Sequence, residues 1–434
     1  MKGTEAIRLH YGREGLLARV PASNLIKVAR TKPVPPLADP ITVLKDGLAN
    51  PISAGSLSEL SKGKKSACVV ICDVTRPVPN KLLLPPILQA IEEAGVPREK
   101  ITVLIATGTH RPVTGAELKQ LVGDAVACSY RVVNHNSSAE EEHEYLGRTV
   151  GGTEIWVDAR YVRSDLKVIV GFVEPHLMAG FSGGRKLIVP GIAGDRTMRV
   201  VHGARMMAHP LCREGVIDGN PFHQEALEIA QRVGVDFSVN VALDEARRLT
   251  GIFCGGLVEA HAEAVEFVRE VVTDDVPAPA DVVVTTSGGA PLDATFYQAV
   301  KGVTAASPVV KRGGTIILAA ECREGLGSPH FAALCKQTDD GEAFLRRILE
   351  TDYFVPDQWQ LQKFAQATRN AEVLVVSPTL TAPDNRCPLI KAFGTVEEAL
   401  EAALRRHGSQ AQIAVIPEGP YVLPRLRSAA QSAG

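Results

Sequence analysis

Apolar runs of six or seven residues alternate along this chain with segments whose apolar positions recur every three or four residues. Ser66–Cys72 and Ile101–Thr107 are the first two runs, and Lys81–Gly95 between them carries the helical spacing. The short, uninterrupted runs predict strands buried on both faces, and the spaced segment predicts a helix that covers them. Strand, helix, strand in that order implies a parallel pair with a right-handed crossover. Arg131–Asn134 and Lys167–Phe172 predict further strands, and Phe222–Val233 and Val258–Val272 predict helices. The proline-spaced stretch Pro277-Ala278-Pro279-Ala280 interrupts the pattern and marks a boundary.

A second series begins beyond it. Strands are predicted at Asp281–Thr286, Thr315–Ala320, Glu372–Ser377 and Gln412–Pro417. Helices are predicted at Ala294–Val303, Pro329–Cys335, Gly341–Leu349 and Val396–Arg406. The fold class is therefore α/β, two α/β domains with mainly parallel sheets and an active-site cleft between them. We place an N-terminal domain at 1–275 and a Rossmann-like C-terminal domain at 280–417, with the tail 418–434 packing back on the first. Residues 1–65 hold short β-type pieces, proline-rich turns at Pro33–Pro40 and Asn50-Pro51, and a helix at Ser56–Lys62.

Composition narrows the function. A chain of 434 residues exceeds a single small core. Its 47 Lys and Arg against 49 Asp and Glu are interspersed, which excludes a polyanion-binding surface and so nucleic acid as the main partner. No apolar leader or membrane-length apolar run occurs, which predicts a soluble, cytoplasmic protein with no membrane partner. The eight cysteines have no repeated spacing and several sit inside apolar runs, as reduced core thiols do.

The chemistry gathers where the apolar runs stop. Asp73-Val74-Thr75-Arg76, Gly108-Thr109-His110-Arg111, Glu174-Pro175-His176 and Ser287-Gly288-Gly289 each follow a strand, and a parallel sheet brings the first three to one rim. A lone loop histidine is ordinarily a surface residue, and Arg76 has Asp73 nearby as a simple ion-pair partner. Two histidines on neighbouring strand ends with an arginine between them point instead to paired acid and base groups, suited to a reaction run in both directions.

Gly180, Gly183 and Gly184 predict a close backbone approach to a phosphorylated or planar ligand, with Lys186 pointing into the same space. The sequence there, Gly184-Arg185-Lys186-Leu187, lacks the hydroxyl residue of a phosphate-loop ATPase. No Gly-x-Gly-x-x-Gly marks a nicotinamide enzyme, and His202, His209 and Cys212 lack zinc spacing. Gln298 and Lys301 share one helix face, either solvated or offering an amide and a cation to an acid substrate. Trp359 is either a packing residue or the wall of a planar ligand's pocket.

Together, DVTRP, GTH, GFVEPH, GFSGGRK, the later His202 and YQAVK resemble the nickel-dependent lactate racemase family, in order and through nearly the whole chain. The resemblance implies a nickel-pincer nucleotide, pyridinium-3-thioamide-5-thiocarboxylic acid mononucleotide nickel, attached covalently at Lys186. It implies His202 as the protein ligand to nickel, an imidazole beside soft sulfur donors that suits Ni(II). It implies His110 and His176 as the acid–base pair, with Arg76, Gln298, Lys301 and Tyr297 on the substrate. Asp73, Gly183, Gly184 and Trp359 would lie against the cofactor. The implied activity is racemisation of a 2-hydroxy acid, lactate first, by hydride transfer to and from the cofactor. Malate or a sugar acid is the alternative substrate, and a non-catalytic nickel- or nucleotide-binding accessory protein the alternative class. Cofactor-synthesis and nickel-insertion proteins are the implied partners.

Overall fold

The computed structural model describes residues 3–351 and 353–427, and the chain divides into two compact units. One unit comprises residues 33–206 and 210–270. The other gathers the chain up to residue 32, residues 207–209, and everything from 271 on.

The first unit is built on a six-stranded sheet in the order Leu249–Gly255, Phe237–Leu243, Leu166–Phe172, Ala67–Cys72, Ile101–Ala106, Arg131–Asn134. All pairings are parallel except that of the edge strand Leu249–Gly255, which runs antiparallel to Phe237–Leu243. Every residue of Ala67–Cys72 is buried, as a central parallel strand covered on both faces requires. The helix Asn80–Glu93 packs its stripe of Leu83, Leu84, Ile87, Leu88 and Ile91 out of solvent. Burial of each such side chain is worth about 1.5–3 kcal/mol. The Phe237–Leu243 hairpin escapes pattern reading because its buried strand includes Ser238 and Asn240.

Connectivity fixes where a ligand belongs in such a sheet. From Ala67–Cys72 the chain builds outward through Ile101–Ala106 to Arg131–Asn134, then returns to lay Leu166–Phe172 on the other flank. The strand order reverses between Ala67–Cys72 and Leu166–Phe172. Open α/β sheets hold ligands in the crevice at such a reversal, outside the carboxyl ends of the strands.

The second unit carries a fully parallel six-stranded sheet, ordered Lys391–Phe393, Ala371–Val376, Val310–Ala319, Ala280–Thr286, Ile413–Ile416, Leu25–Val28. Its last strand comes from the start of the chain, which the sequence reading placed in the N-terminal domain. Leu25–Val28 pairs with Ile413–Ile416, and the hairpin Thr4–Leu9 with Leu16–Pro21 sends Ile7, Leu9, Ala18 and Val20 into one core with Val282, Val284, Ile317 and Val415. The first 32 residues thus belong with the C-terminal sheet, because their apolar positions are buried there.

The tail is corrected too. Leu423–Leu426 pairs in parallel with Thr273–Val276 inside this same unit, and residues 428–434 lie outside the described residues. The helix Gln358–Thr368 is a further addition. It buries Gln358, Gln360, Gln362 and Lys363 along with its apolar residues, so no amphipathic period betrays it. Among the described residues, no helix is long and apolar enough to cross a membrane.

Candidate active site

The first unit's sheet brings the three sequence segments to one rim in the order His176, Arg76, His110. Arg76 follows the strand between the two that carry the histidines. His110 lies against Asp73, whose Oδ2 is 2.8 Å from the ring Nδ1. The other carboxylate oxygen accepts from the Thr75 backbone N–H at 3.2 Å and its hydroxyl at 2.6 Å. Burial alone would raise the Asp73 carboxyl, but the bonds from His110 and Thr75 and the Arg76 charge hold it below the ordinary carboxylate range. An ionised Asp73 accepts the Nδ1 proton of His110 and leaves Nε2 as the basic atom. Sequence leaves open whether Asp73 orients Arg76 or a histidine; the hydrogen bond is to the histidine.

His176 is buried on a tight hairpin in which Pro175–His176 pairs with Gly180–Phe181. Its Nδ1 accepts from the backbone N–H groups of Met178 and Ala179, each at 3.3 Å, so the neutral ring carries its proton on Nε2. As neutral rings the two histidines are complementary tautomers, His110 with its proton on Nδ1 and His176 with its proton on Nε2. Arg76 faces a residue not assigned from sequence: its Nη1 is 3.3 Å from Oε1 of Glu174.

Lys186 and His202 meet at an aromatic wall. The Lys186 ammonium stands 5.1 Å from the centroid of Phe222, and the His202 ring packs edge-on against the same phenyl at 5.6 Å. Phe222 opens the helix Pro221–Val233, which Asn220 caps through its side chain. His202 is the C-cap of the short helix Asp195–Val201. Burial first, then the Lys186 charge, push the His202 pKa down to about 3. His202 is thus a neutral imidazole, the form in which histidine binds a metal. An amine and a neutral imidazole on one apolar wall fit a tethered, metal-carrying cofactor. Among the described residues, no group of three or more His, Cys, Asp or Glu forms a self-sufficient metal centre.

The glycines have a different explanation from the one the sequence suggests. A Cβ on Gly180 would stand 2.1 Å from the Val216 carbonyl oxygen, on Gly183 2.7 Å from Val173, and on Gly184 2.7 Å from the His261 ring. All three have positive φ. Protein packing and backbone conformation therefore account for them, and contact of Gly183 and Gly184 with a cofactor rests on the resemblance alone. Sequence also misses how this turn is held. Arg185 is fully buried, donates to the carbonyls of Ala179 and Phe181 at 2.7 and 2.9 Å, and lies 2.9 Å from His261 Nε2. Burial lowers the Arg185 pKa to about 9, and burial, then the Arg185 charge, hold His261 well below its usual value.

These buried neutral rings predict an acid-sensitive apoprotein. A histidine with a folded-state pKa below its unfolded value of about 6.5 adds no pH dependence at neutrality. Stability then falls as pH drops below that value, because the unfolded chain binds the extra proton. For His202 alone the loss at pH 5 is roughly 2 kcal/mol. Urea denaturation of the apoprotein at pH 7.5 and pH 5 should show the decline, and H202N should lessen it by about that amount. An unaltered difference in H202N would contradict the assignment.

The remaining sequence candidates lie in the second unit. Tyr297, Gln298 and Lys301 ride on the helix Phe296–Ala306, which starts at the Thr295 N-cap. Trp359, buried on Gln358–Thr368, donates its Nε1–H to the Tyr297 hydroxyl at 3.1 Å, so these two candidates are joined. Gln298 Oε1 is buried without a hydrogen-bond partner among the described residues. Asp293, unassigned from sequence, is fully buried just before this helix and accepts from the N–H groups of Gly12 at 2.7 Å and Glu321 at 3.2 Å.

Comparison with known proteins places these residues in context. Residues 11–215 match the family model described as "Lactate racemase N-terminal domain", and residues 276–423 match "Lactate racemase C-terminal domain". The chain is similar to a lactate racemase of Thermoanaerobacterium thermosaccharolyticum, 34% identical over 423 residues that cover 96% of this chain and 99% of that protein. It is 35% identical to a lactate racemase of Lactiplantibacillus plantarum over 426 residues, with the same coverage of both chains. The solved structure of the T. thermosaccharolyticum lactate racemase apoprotein superposes with a TM-score of 0.92 at 34% identity, covering 97% of this chain and 100% of that one. A crystal structure of a Thermotoga maritima protein, 18% identical, shares the fold with a TM-score of 0.66 over 89% of this chain and 98% of that one.

Proposed function

The chain belongs to the lactate racemase family, and from that membership we propose that it racemises lactate by hydride transfer at C2, as an isomerase carrying a nickel-pincer nucleotide. The observation that carries this reading is the convergence of Lys186 and His202 on Phe222, beside a rim that holds Asp73–His110 and Arg76. Lys186 would bear the cofactor and His202 the nickel, with Asp73, Gly183, Gly184 and Trp359 near the nucleotide. When bound, this group supplies the hydride acceptor and donor, the step protein side chains cannot perform.

The chain's own residues do the rest. Arg76 offers the planar fork that matches a carboxylate, and Gln298, Lys301 and Tyr297 would complete the hold on the substrate. His110, with Asp73 behind it, takes the proton of the 2-hydroxyl at Nε2 as the C2 hydrogen leaves. His176, with its proton on Nε2, donates to the substrate oxygen. The resulting 2-keto acid is planar at C2, so hydrogen returned to one face or the other gives a racemate, and two imidazoles serve the two faces.

One labelling experiment tests the reaction type. Holoenzyme produced together with cofactor-synthesis and nickel-insertion proteins is given L-lactate in D2O. Optical rotation should decay to zero while C2 of the product keeps its protium, because hydride returns without exchange. Deuterium at C2 would signal proton abstraction and overturn the mechanism.

A further inference from the structure

We infer that Glu174 is a specificity-determining residue that selects 2-hydroxy acids with one carboxylate against those with two. The inference rests on the reading of Arg76 as the substrate's carboxylate clamp. Glu174 stands at the carboxyl end of Leu166–Phe172, across the strand-order reversal from Arg76, and the two side chains are only 12% and 19% exposed. Their 3.3 Å ion pair bridges the crevice where the substrate would enter.

The main chain at Glu174 is pinned. Its N–H donates to the Ser182 hydroxyl at 3.0 Å, and its carbonyl accepts the Ser182 N–H at 2.9 Å. Ser182 is itself buried, and its hydroxyl also donates to the Phe172 carbonyl at 2.6 Å. The main chain is held by Ser182, and the 3.3 Å contact with Arg76 holds the Glu174 carboxylate beside the clamp.

Two carboxylates flank one guanidinium here. Asp73 is committed to His110 and Thr75, and Glu174 to Arg76. The next arginine on the rim, Arg111, is bonded through both terminal nitrogens to Glu117. A substrate with one carboxylate shares Arg76 with Glu174, and its uncharged methyl end tolerates the surroundings. A second carboxylate on the same small molecule would lie within a few ångströms of the first and meet Glu174 and Asp73. At that separation, in a partly solvated crevice, one unit charge is worth about tenfold in discrimination. Residues that reject a substrate by repulsion are as much a part of specificity as those that attract it.

The test compares kcat/KM for L-lactate and L-malate in wild-type holoenzyme, E174Q and E174D. Wild type should favour lactate. E174Q should raise the malate-to-lactate ratio about tenfold, while E174D, which keeps the charge, should stay near the wild-type ratio. A folded E174Q whose ratio moves less than twofold overturns the inference and leaves lactate racemisation intact, as would a wild-type enzyme that turns over malate as well as lactate. A wild-type holoenzyme that racemises neither acid sinks the functional reading, and this inference with it. Inhibition of the wild type gives an answer that needs no variant. Succinate should compete with lactate about tenfold more weakly than propionate, and equal inhibition would count against Glu174.

Discussion

K186A and K186R, produced beside the cofactor-making proteins, should both emerge with the mass of the bare polypeptide and racemise lactate more than about 10³-fold more slowly than wild type. The Lys186 primary amine on the Phe222 wall can form a stable acyl-type link, and arginine keeps the charge without that nucleophilicity. The two variants separate charge from attachment. If K186R kept both added mass and turnover, the tether would lie elsewhere and the reading of the Ser182–Lys186 turn would fail. Intact-protein mass spectrometry reads attachment, and polarimetry reads the reaction.

H110A should lower kcat by about 10³-fold, within the range for loss of a general acid–base group, while nickel content per chain stays at the wild-type level. The metal is unaffected because His110 is bonded to Asp73, whereas His202 stands against Phe222. D73N should fall between wild type and H110A. Its amide oxygen can still accept the Nδ1 proton, so ring orientation survives, but the carboxylate that steadies an imidazolium is gone. The expected loss is about tenfold to a hundredfold in kcat, with little change in KM. Metal analysis alongside turnover decides the roles: nickel lost in H110A would make it a metal ligand, and full activity in D73N would make the Asp73 contact incidental.

Much of this rim is legible in sequence because buried parallel strands end abruptly. An apolar run that gives way to Asp-Val-Thr-Arg, Gly-Thr-His or Glu-Pro-His announces both a strand end and its polar cargo. The pairing of that cargo is less legible. Asp73 has both Arg76 and His110 as plausible partners until strand order is known, and Glu174 acquires meaning only when its strand lies beside that of Arg76. Phe222 carries no signal at all, since a phenylalanine at the start of an amphipathic helix reads as core. The helix that carries Trp359 escapes for another reason: its glutamines are buried with its apolar residues, so it lacks the polar face that periodicity detects. The glycines between Gly180 and Lys186 are visible as glycines, but what they avoid is Val173, Val216 and His261.

The pairing of Leu25–Val28 with Ile413–Ile416 also has a bearing on biosynthesis. A ribosome adding about 5–20 residues per second delivers the partner roughly 20–80 s after the edge strand has emerged. During that interval the contiguous middle of the chain can fold to completion, while the leading hairpin waits with its apolar side uncovered. A split of the gene at the proline-rich junction would strand that hairpin on the wrong fragment.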